Sequence, residues 1–247
     1  MMVTDTFFRK RRDANPDIKR ATLQILVLVF LVSLQGCNSP FFIAEPFEAT
    51  VVDAETGAAI EGAIVIANWA RYVGTVHGYD FKEQLETMEA VTNAGGKFSM
   101  AGFRKVNLPL MYSTVRGEDP QIIIFKPGYE FSRWSNGCPS AEGDCRYFSR
   151  RAVVAGKTIK LKRLNDAGKL KDPTYFRYFG LNTRMENIVE NCNWKRIPKF
   201  ILAADAEYEQ TMRAGFINGA DLPELSVIEQ QKAICGSART FLAKFRQ

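Results

Sequence analysis

Val51-Val52-Asp53-Ala54-Glu55-Thr56-Gly57, followed by Ile60-Glu61-Gly62-Ala63-Ile64-Val65, decides how the middle of this chain is read. Residues 47–53 have the β-branched and aromatic content of a strand. Residues 54–57 read as a turn, because an Asp side chain bonds nearby backbone and Gly accepts a positive φ. Ala63-Ile64-Val65-Ile66-Ala67-Asn68-Trp69 is apolar almost throughout, the mark of a buried strand. Working outward, Ala90-Val91-Thr92, Asn93-Ala94-Gly95-Gly96 and Lys97-Phe98-Ser99-Met100 make a hairpin across a glycine turn. Ile122-Ile123-Ile124-Phe125-Lys126 is a further buried strand, stopped by Pro127-Gly128. Lys157-Thr158-Ile159-Lys160-Leu161 alternates and closes the series. Short strands punctuated by turns predict a β-sandwich over residues 47–164.

The punctuation carries a resemblance. The opening strand, the Asp, the Thr-Gly turn and the Ile60-Glu61-Gly62-Ala63 lead-in resemble the start of a carboxypeptidase regulatory-like domain. Ala59 stands where that family commonly has Pro. Thr92-Asn93-Ala94-Gly95-Gly96-Lys97-Phe98 is similar to its second hairpin, and Phe125-Lys126-Pro127-Gly128-Tyr129 to its Lys-x-Gly-Tyr corner. The resemblance implies a small transthyretin-like sandwich. It speaks to turns and core positions and not to chemistry, since the family's members generally carry no active site of their own.

Two segments are longer than the sandwich needs. Residues 71–89 hold Tyr72, His77, Tyr79 and Phe81, then Glu83, Glu86 and Glu89. Long loops on a rigid scaffold are where binding concentrates, so Tyr72, His77 and Tyr79 are the candidate ligand-binding residues. The plainer reading is a strand pair or short helix that extends the sandwich, with the glutamates on a solvated face. Residues 128–151 contain Trp134, Cys138, Cys145, Tyr147 and Phe148, a second candidate binding edge.

After the sandwich the pattern changes. Residues 165–181 read as a linker, polar at first and holding Gly168 and Pro173. Residues 182–247 read as helical. Asn182-Thr183 caps a helix through Cys192; Pro198 opens another, running to Ala214, with Gly215 as its stop. Pro223 opens a third toward Phe245, with Leu225, Ile228, Ile234, Ala238, Leu242 and Phe245 loosely on one side. The fold class expected is mainly β with α: a transthyretin-like or Ig-like β-sandwich followed by a helical C-terminal region that covers one of its faces.

The N-terminus reads as an address. Arg9, Lys10, Arg11, Arg12, Lys19 and Arg20 precede an apolar run over residues 21–34. Basic start, short apolar core and small residue before a cut form the secretory pattern. An uncleaved membrane helix needs about 20 apolar residues, more than this run supplies, and a buried helix would lack cover upstream. Leu31-Val32-Ser33-Leu34-Gln35-Gly36-Cys37 resembles a bacterial lipobox, with Gln35 less usual at its place. That resemblance implies a lipoprotein signal peptide over residues 1–36. The thiol of Cys37 would then carry diacylglycerol and its amine a further acyl chain such as palmitate. Residues 37–46 would be a tether. Asn38, after the cysteine, implies the outer membrane, facing the periplasm.

Four cysteines follow Cys37, and an even count in an exported chain points to two disulfides. Three pairings exist. Cys138–Cys145 closes a short loop of turn-forming residues, which leaves Cys192–Cys235 to staple the C-terminal region. A zinc site would want C-x-x-C pairs or several histidines; the chain has one histidine, His77, and no such pair.

The same absence argues against multi-histidine metal catalysis. No G-x-S-x-G, Walker or dinucleotide motif occurs. A formal charge of +6 invites a nucleic-acid reading, but the leader holds 6 of the 33 basic and 3 of the 27 acidic residues, leaving 27 against 24. No basic stripe interleaved with aromatics remains, and Lys157, Lys160 and Lys162 read as the wet face of a strand. The expectation is a non-catalytic, membrane-tethered periplasmic lipoprotein without cofactor. It would bind or support another envelope protein, for instance by adding a partner's strand to a sandwich edge. The alternatives are a glycan or small-ligand module using the 71–81 aromatics, and a hydrolase with an unrecognised site around His77.

Overall fold

The quoted stretch folds as strand, turn and strand. The computed structural model describes residues 41–106, 113–115, 119–136, 151–164, 181–214 and 222–246, together with Gln24. β2 (Phe47–Asp53) turns Phe47, Ala49, Val51 and Asp53 inward, and β5 (Lys97–Met100) and β10 (Thr158–Leu161) alternate in the same way. The three form one sheet in the order β10–β2–β5, with β10 parallel and β5 antiparallel to β2.

A second sheet runs β4–β3–β8–β9, built from β3 (Ile64–Thr75), β4 (Gly78–Val91), β8 (Gln121–Phe125) and β9 (Ser132–Trp134). β7 (Ser113–Val115) pairs with β3 at Arg71, Tyr72 and Val73. β1 (Phe41–Ala44) and β6 (Phe103–Val106) make a two-stranded ribbon. Internal contacts divide the chain into Met1–Phe42 with Val106–Pro109, and Ile43–Lys105 with Leu110–Gln247. Of the first unit, Gln24, Phe41, Phe42 and Val106 are described.

Residues 64–70 of β3 are buried without a break. Neighbouring residues of a strand point to opposite faces, so β3 needs cover on both. Ile64 and Ile66, paired with Phe125 and Ile123 across the ladder, belong to one cluster with the C-terminal helices. Val65 and Ala67, paired with Ile124 and Ile122, are buried on the opposite face. The inward apolar side chains of β2, β5 and β10 are of the same kind. The result is a mainly-β fold of open, sandwich-like sheets followed by helices.

The helices are α1 (Leu181–Val189), α2 (Pro198–Arg213), α3 (Leu225–Glu229), α4 (Lys232–Cys235) and α5 (Ala238–Leu242), with 3-10 turns at Asn193–Arg196 and Ala243–Phe245. Pro198 sits at the first turn of α2, where its missing N–H costs nothing. Phe200 of α2 meets Phe125 of β8 edge-on at 5.3 Å, joining helix to sheet.

Several expectations need correction. The third helix is three short ones; Gly236, at φ 76°, separates the last two, and Ser237 starts α5 by accepting the Thr240 N–H. Ile234 is 87% exposed and so leaves the apolar side assigned to it. α1 stops at Val189 and does not reach Cys192, because Asn191 and Cys192 take φ 52° and 66° and reverse the chain. Leu181, assigned to the linker, opens α1 and is buried. β1 lies inside the stretch assigned as a tether.

Cys192 and Cys235 are joined by a disulfide with Cα atoms 5.3 Å apart, linking the turn after α1 to the end of α4. Cys37, Cys138 and Cys145 lie outside the described residues. A link across 43 residues contributes about 2–4 kcal/mol, chiefly by restricting the unfolded chain. Replacing both residues with Ser should lower stability by that order in urea denaturation. Phe200→Ala should cost about 3–5 kcal/mol, whereas Ile234→Ala should change stability by less than about 0.5 kcal/mol; the same denaturation series checks both.

Candidate functional site

The 71–89 segment is a continuation of β3 and β4 as one long hairpin, with Thr75 facing Gly78 at its end. His77 lies exposed in the turn. Tyr72 faces Phe81 across the ladder, and the two rings meet edge-on at 6.3 Å. Tyr79 faces Gly74 in the register; its side chain lies outside the description. The hairpin therefore spreads these residues along a ladder. Two grooves among the described residues are lined by others.

Of the glutamates expected on a solvated face, Glu83 is exposed, but Glu86 and Glu89 are half-buried and do something else. Pairing shifts between Trp69 and Ala70 bring Ala70 opposite Gln84, with Leu85 as the extra residue of a bulge. The extra residue resets which side chains face the helices. Gln84 donates its Nε2–H to the carbonyl of Asn187, in α1, at 2.8 Å. Glu89 accepts the N–H groups of Lys199 and Phe200 at 3.1 and 2.7 Å, capping α2 from a neighbouring strand. Burial pushes the Glu89 carboxyl up, against those two amides and the Lys199 charge. Glu86 pairs with Lys105 at 2.6 Å and with Arg196 of the 3-10 turn, and Arg71 pairs with Glu83 at 3.0 Å. Desolvation, reinforced by the Arg71 charge, pushes the Lys105 ammonium down. Buried Thr87 donates its hydroxyl to Asn68 Oδ1 at 2.8 Å. Gln84, Glu86 and Glu89 thus fasten α1, the 3-10 turn and α2 to β4, while Glu83 and Thr87 bond back to β3. The three-residue spacing of the glutamates gave no hint of this, because it reads equally as a wet face.

Asp53 is 2% exposed and fully engaged. It accepts the N–H groups of Glu55 and Thr56, each at 3.0 Å, the Tyr129 hydroxyl at 3.1 Å and the Arg163 Nε–H at 2.6 Å. The Arg163 bond, with the Thr56 amide next, holds the carboxyl far below the usual range. Both oxygens are committed, so the group has no free lone pair for acid–base work. The cluster ties the first turn, the Tyr129 corner and the end of β10 together.

What is open is a groove of about 650 Å³ along α2, lined by Leu202, Ala203 and Ala206 with Phe245, and by Lys199, Asp205, Glu209 and Arg246. Asp205 accepts the Leu225 N–H at 3.3 Å, and burial pushes its carboxyl up. Glu209 pairs with Arg213. Phe245 stacks at a tilt on Phe241, 5.5 Å away, and Lys195 and Lys244 lie over the Phe241 ring. Apolar and charged residues share this lining evenly, a mixture like that of transient protein–protein contacts. A second groove, about 390 Å³, is lined by Pro46, Phe47, Glu48, Ser99, Arg151, Ala155 and Gly156. Among the described residues no three His, Cys, Asp or Glu side chains are grouped to hold a metal, and no helix is long and apolar enough to cross a membrane.

No family model matches this chain, and no curated protein matches it. Among solved structures, a 9R-lipoxygenase from Cyanothece PCC8801 is similar over 90% of this chain at 12% identity and a TM-score of 0.25. The chain spans 35% of that protein's length. A likeness at that level carries no argument about fold or chemistry.

The charged joints predict a pH response. Asp53 has a folded pKa below its ordinary 3.8, so its contribution is complete above that value and is lost as pH falls toward the folded one. Glu89 and Asp205 are shifted the other way, so each favours the fold more once protonated. Asp53→Asn should melt several degrees below the parent at pH 7, with the gap narrowing below about pH 4. Thermal melts of the two proteins across that range check it, and a gap that widens toward acid would contradict the assignment.

Proposed function

We propose that this chain is a non-catalytic lipoprotein, held to the membrane through Cys37, that binds or supports another protein of the cell envelope through the groove along α2. The observation that carries the reading is a contrast. Buried Asp53 and half-buried Glu89 are consumed by bonds that hold the fold, while the 650 Å³ groove presents a mixed apolar and charged lining to solvent. The sequence features of the leader and the likeness to carboxypeptidase regulatory-like domains support the same reading.

Strand addition has one long edge available, since β4, the outer strand of the larger sheet, has 14 residues, although Lys105 already donates to its Leu85 carbonyl. β5 and β10, the edges of the small sheet, have four residues each, and β9 has three. Short edges offer few main-chain bonds, and exposed lysines such as Lys160 are a common way of blunting an edge. The groove would instead take an amphipathic segment whose apolar side chains sit on Leu202 and Ala206.

Mass spectrometry of the natively processed protein should find an acylated Cys37 at the N-terminus. One partner should copurify in stoichiometric amount from solubilised membranes. Ala206→Arg places bulk and charge on an exposed groove position and should reduce recovery roughly tenfold, equivalent to about 1.4 kcal/mol, with the melting temperature unchanged. Recovery that ignores this substitution would remove the groove from the reading.

A further inference from the structure

Three residues, Asn38, Ser39 and Pro40, separate Cys37 from the start of β1 at Phe41. The tether is thus much shorter than the sequence suggested. Extended chain spans at most 3.3–3.6 Å per residue, so Ile43 can lie no more than about 20 Å from Cys37. Unravelling would not lengthen that leash cheaply. Ala44 is 3% exposed, and a Cβ on Gly102 would meet the Ala44 carbonyl oxygen at 2.7 Å and the Pro46 ring at 2.9 Å. This close packing fixes the point at which the chain enters the folded unit. Just outside it, Ile43 turns 36% of its surface to solvent, and Glu45 and Pro46 are exposed.

We infer that this end of the folded unit, with Ile43 foremost, rests on the phospholipid headgroups of the membrane that holds the acyl chains. The inference depends on the lipidation reading above and adds an orientation to it. A headgroup layer is about 5–7 Å thick on each side of a bilayer, so a leash of about 20 Å leaves little water between. A single exposed isoleucine binds no membrane from solution. Held this close, it meets the surface at high effective concentration, and weak contacts are then populated. Among the described residues, Ile43 is the least exposed of the large apolar residues at the surface, and it is the leash, not its exposure, that sets it apart from Val76 and Ile234, which are far more exposed.

The test uses the full chain, natively processed and reconstituted into vesicles of phosphatidylethanolamine and phosphatidylglycerol. A photoreactive phenylalanine analogue replaces Ile43, Glu45 or Ile234 in separate variants. All three positions are exposed, and Glu45 serves as a second reporter should the Ile43 variant misfold. Mass spectrometry of the N-terminal peptide first establishes acylation of Cys37; its absence is the failure of the lipoprotein reading and is visible separately. With Cys37 acylated, lipid adducts should form at residues 43 and 45 at least several-fold more often than at 234. A flexible insertion of about twenty residues after Pro40, which extends the reach severalfold, should bring them down to the level at 234. Equal adducts at all three positions would overturn the inference, and adducts at 43 that survive the insertion would overturn the short leash as the cause of the contact.

Discussion

β3 and β8 carry apolar side chains on both of their faces, and one covering layer cannot satisfy both. Ile64, Ile66, Ile123 and Phe125 need the helices, and Val65, Ala67, Ile122 and Ile124 need cover on the other side. A sandwich of two sheets alone would leave one of these rows in water. Each such side chain is worth about 1.5–3 kcal/mol when buried, so an uncovered row would cost a large part of the stability of an ordinary domain. The helical region is therefore a structural part of the sheet that it covers.

That dependence explains where the polar groups went. A helix packed on a sheet must still satisfy its first N–H groups, and α2 begins at a proline with no side-chain cap of its own. Glu89 supplies the missing acceptor from β4, and Gln84 and Glu86 hold α1 and the 3-10 turn to the same strand. Asp53 does comparable work at the opposite end of the sequence, joining three loops. These particular polar and charged groups thus serve assembly. The proposed binding reading rests on the open groove along α2, whose lining is half apolar and half charged.

Much of the sandwich was legible because turns leave local marks. The Asp53 to Gly57 turn, the Asn93 to Gly96 hairpin and the Pro127-Gly128 stop are each set by a few neighbouring residues, and β2, β3, β5, β8 and β10 fall where those marks place them. Pro198 marked the start of α2 for the same local reason. The misses share a different cause. The length of β4 and the bulge at Leu85 come from its register with β3, which no local mark records, and the roles of Glu86 and Glu89 are decided by partners more than a hundred residues away. The break at Gly236 was local, but an apolar pattern running past it hid it; burial of Ala238 and Leu242 beside exposed Ile234 shows that the pattern changes register there. β1, β6, β7 and β9 are three or four residues long and carry too little periodicity to detect.

β2 pairs in parallel with β10, and Asp53 is bonded to Arg163, 110 residues further along. A chain made from its N-terminus onward therefore emits its first sandwich strand long before the neighbour on that side exists. Closing so distant a pair is slow, because the loop entropy must be met before the contact rewards it. Until Leu161 arrives, β2 has an unzipped flank that other chains could join. The newborn polypeptide consequently passes through a vulnerable interval set by topology, and a holdase that shields residues 47–53 during that wait would raise the yield of folded molecules.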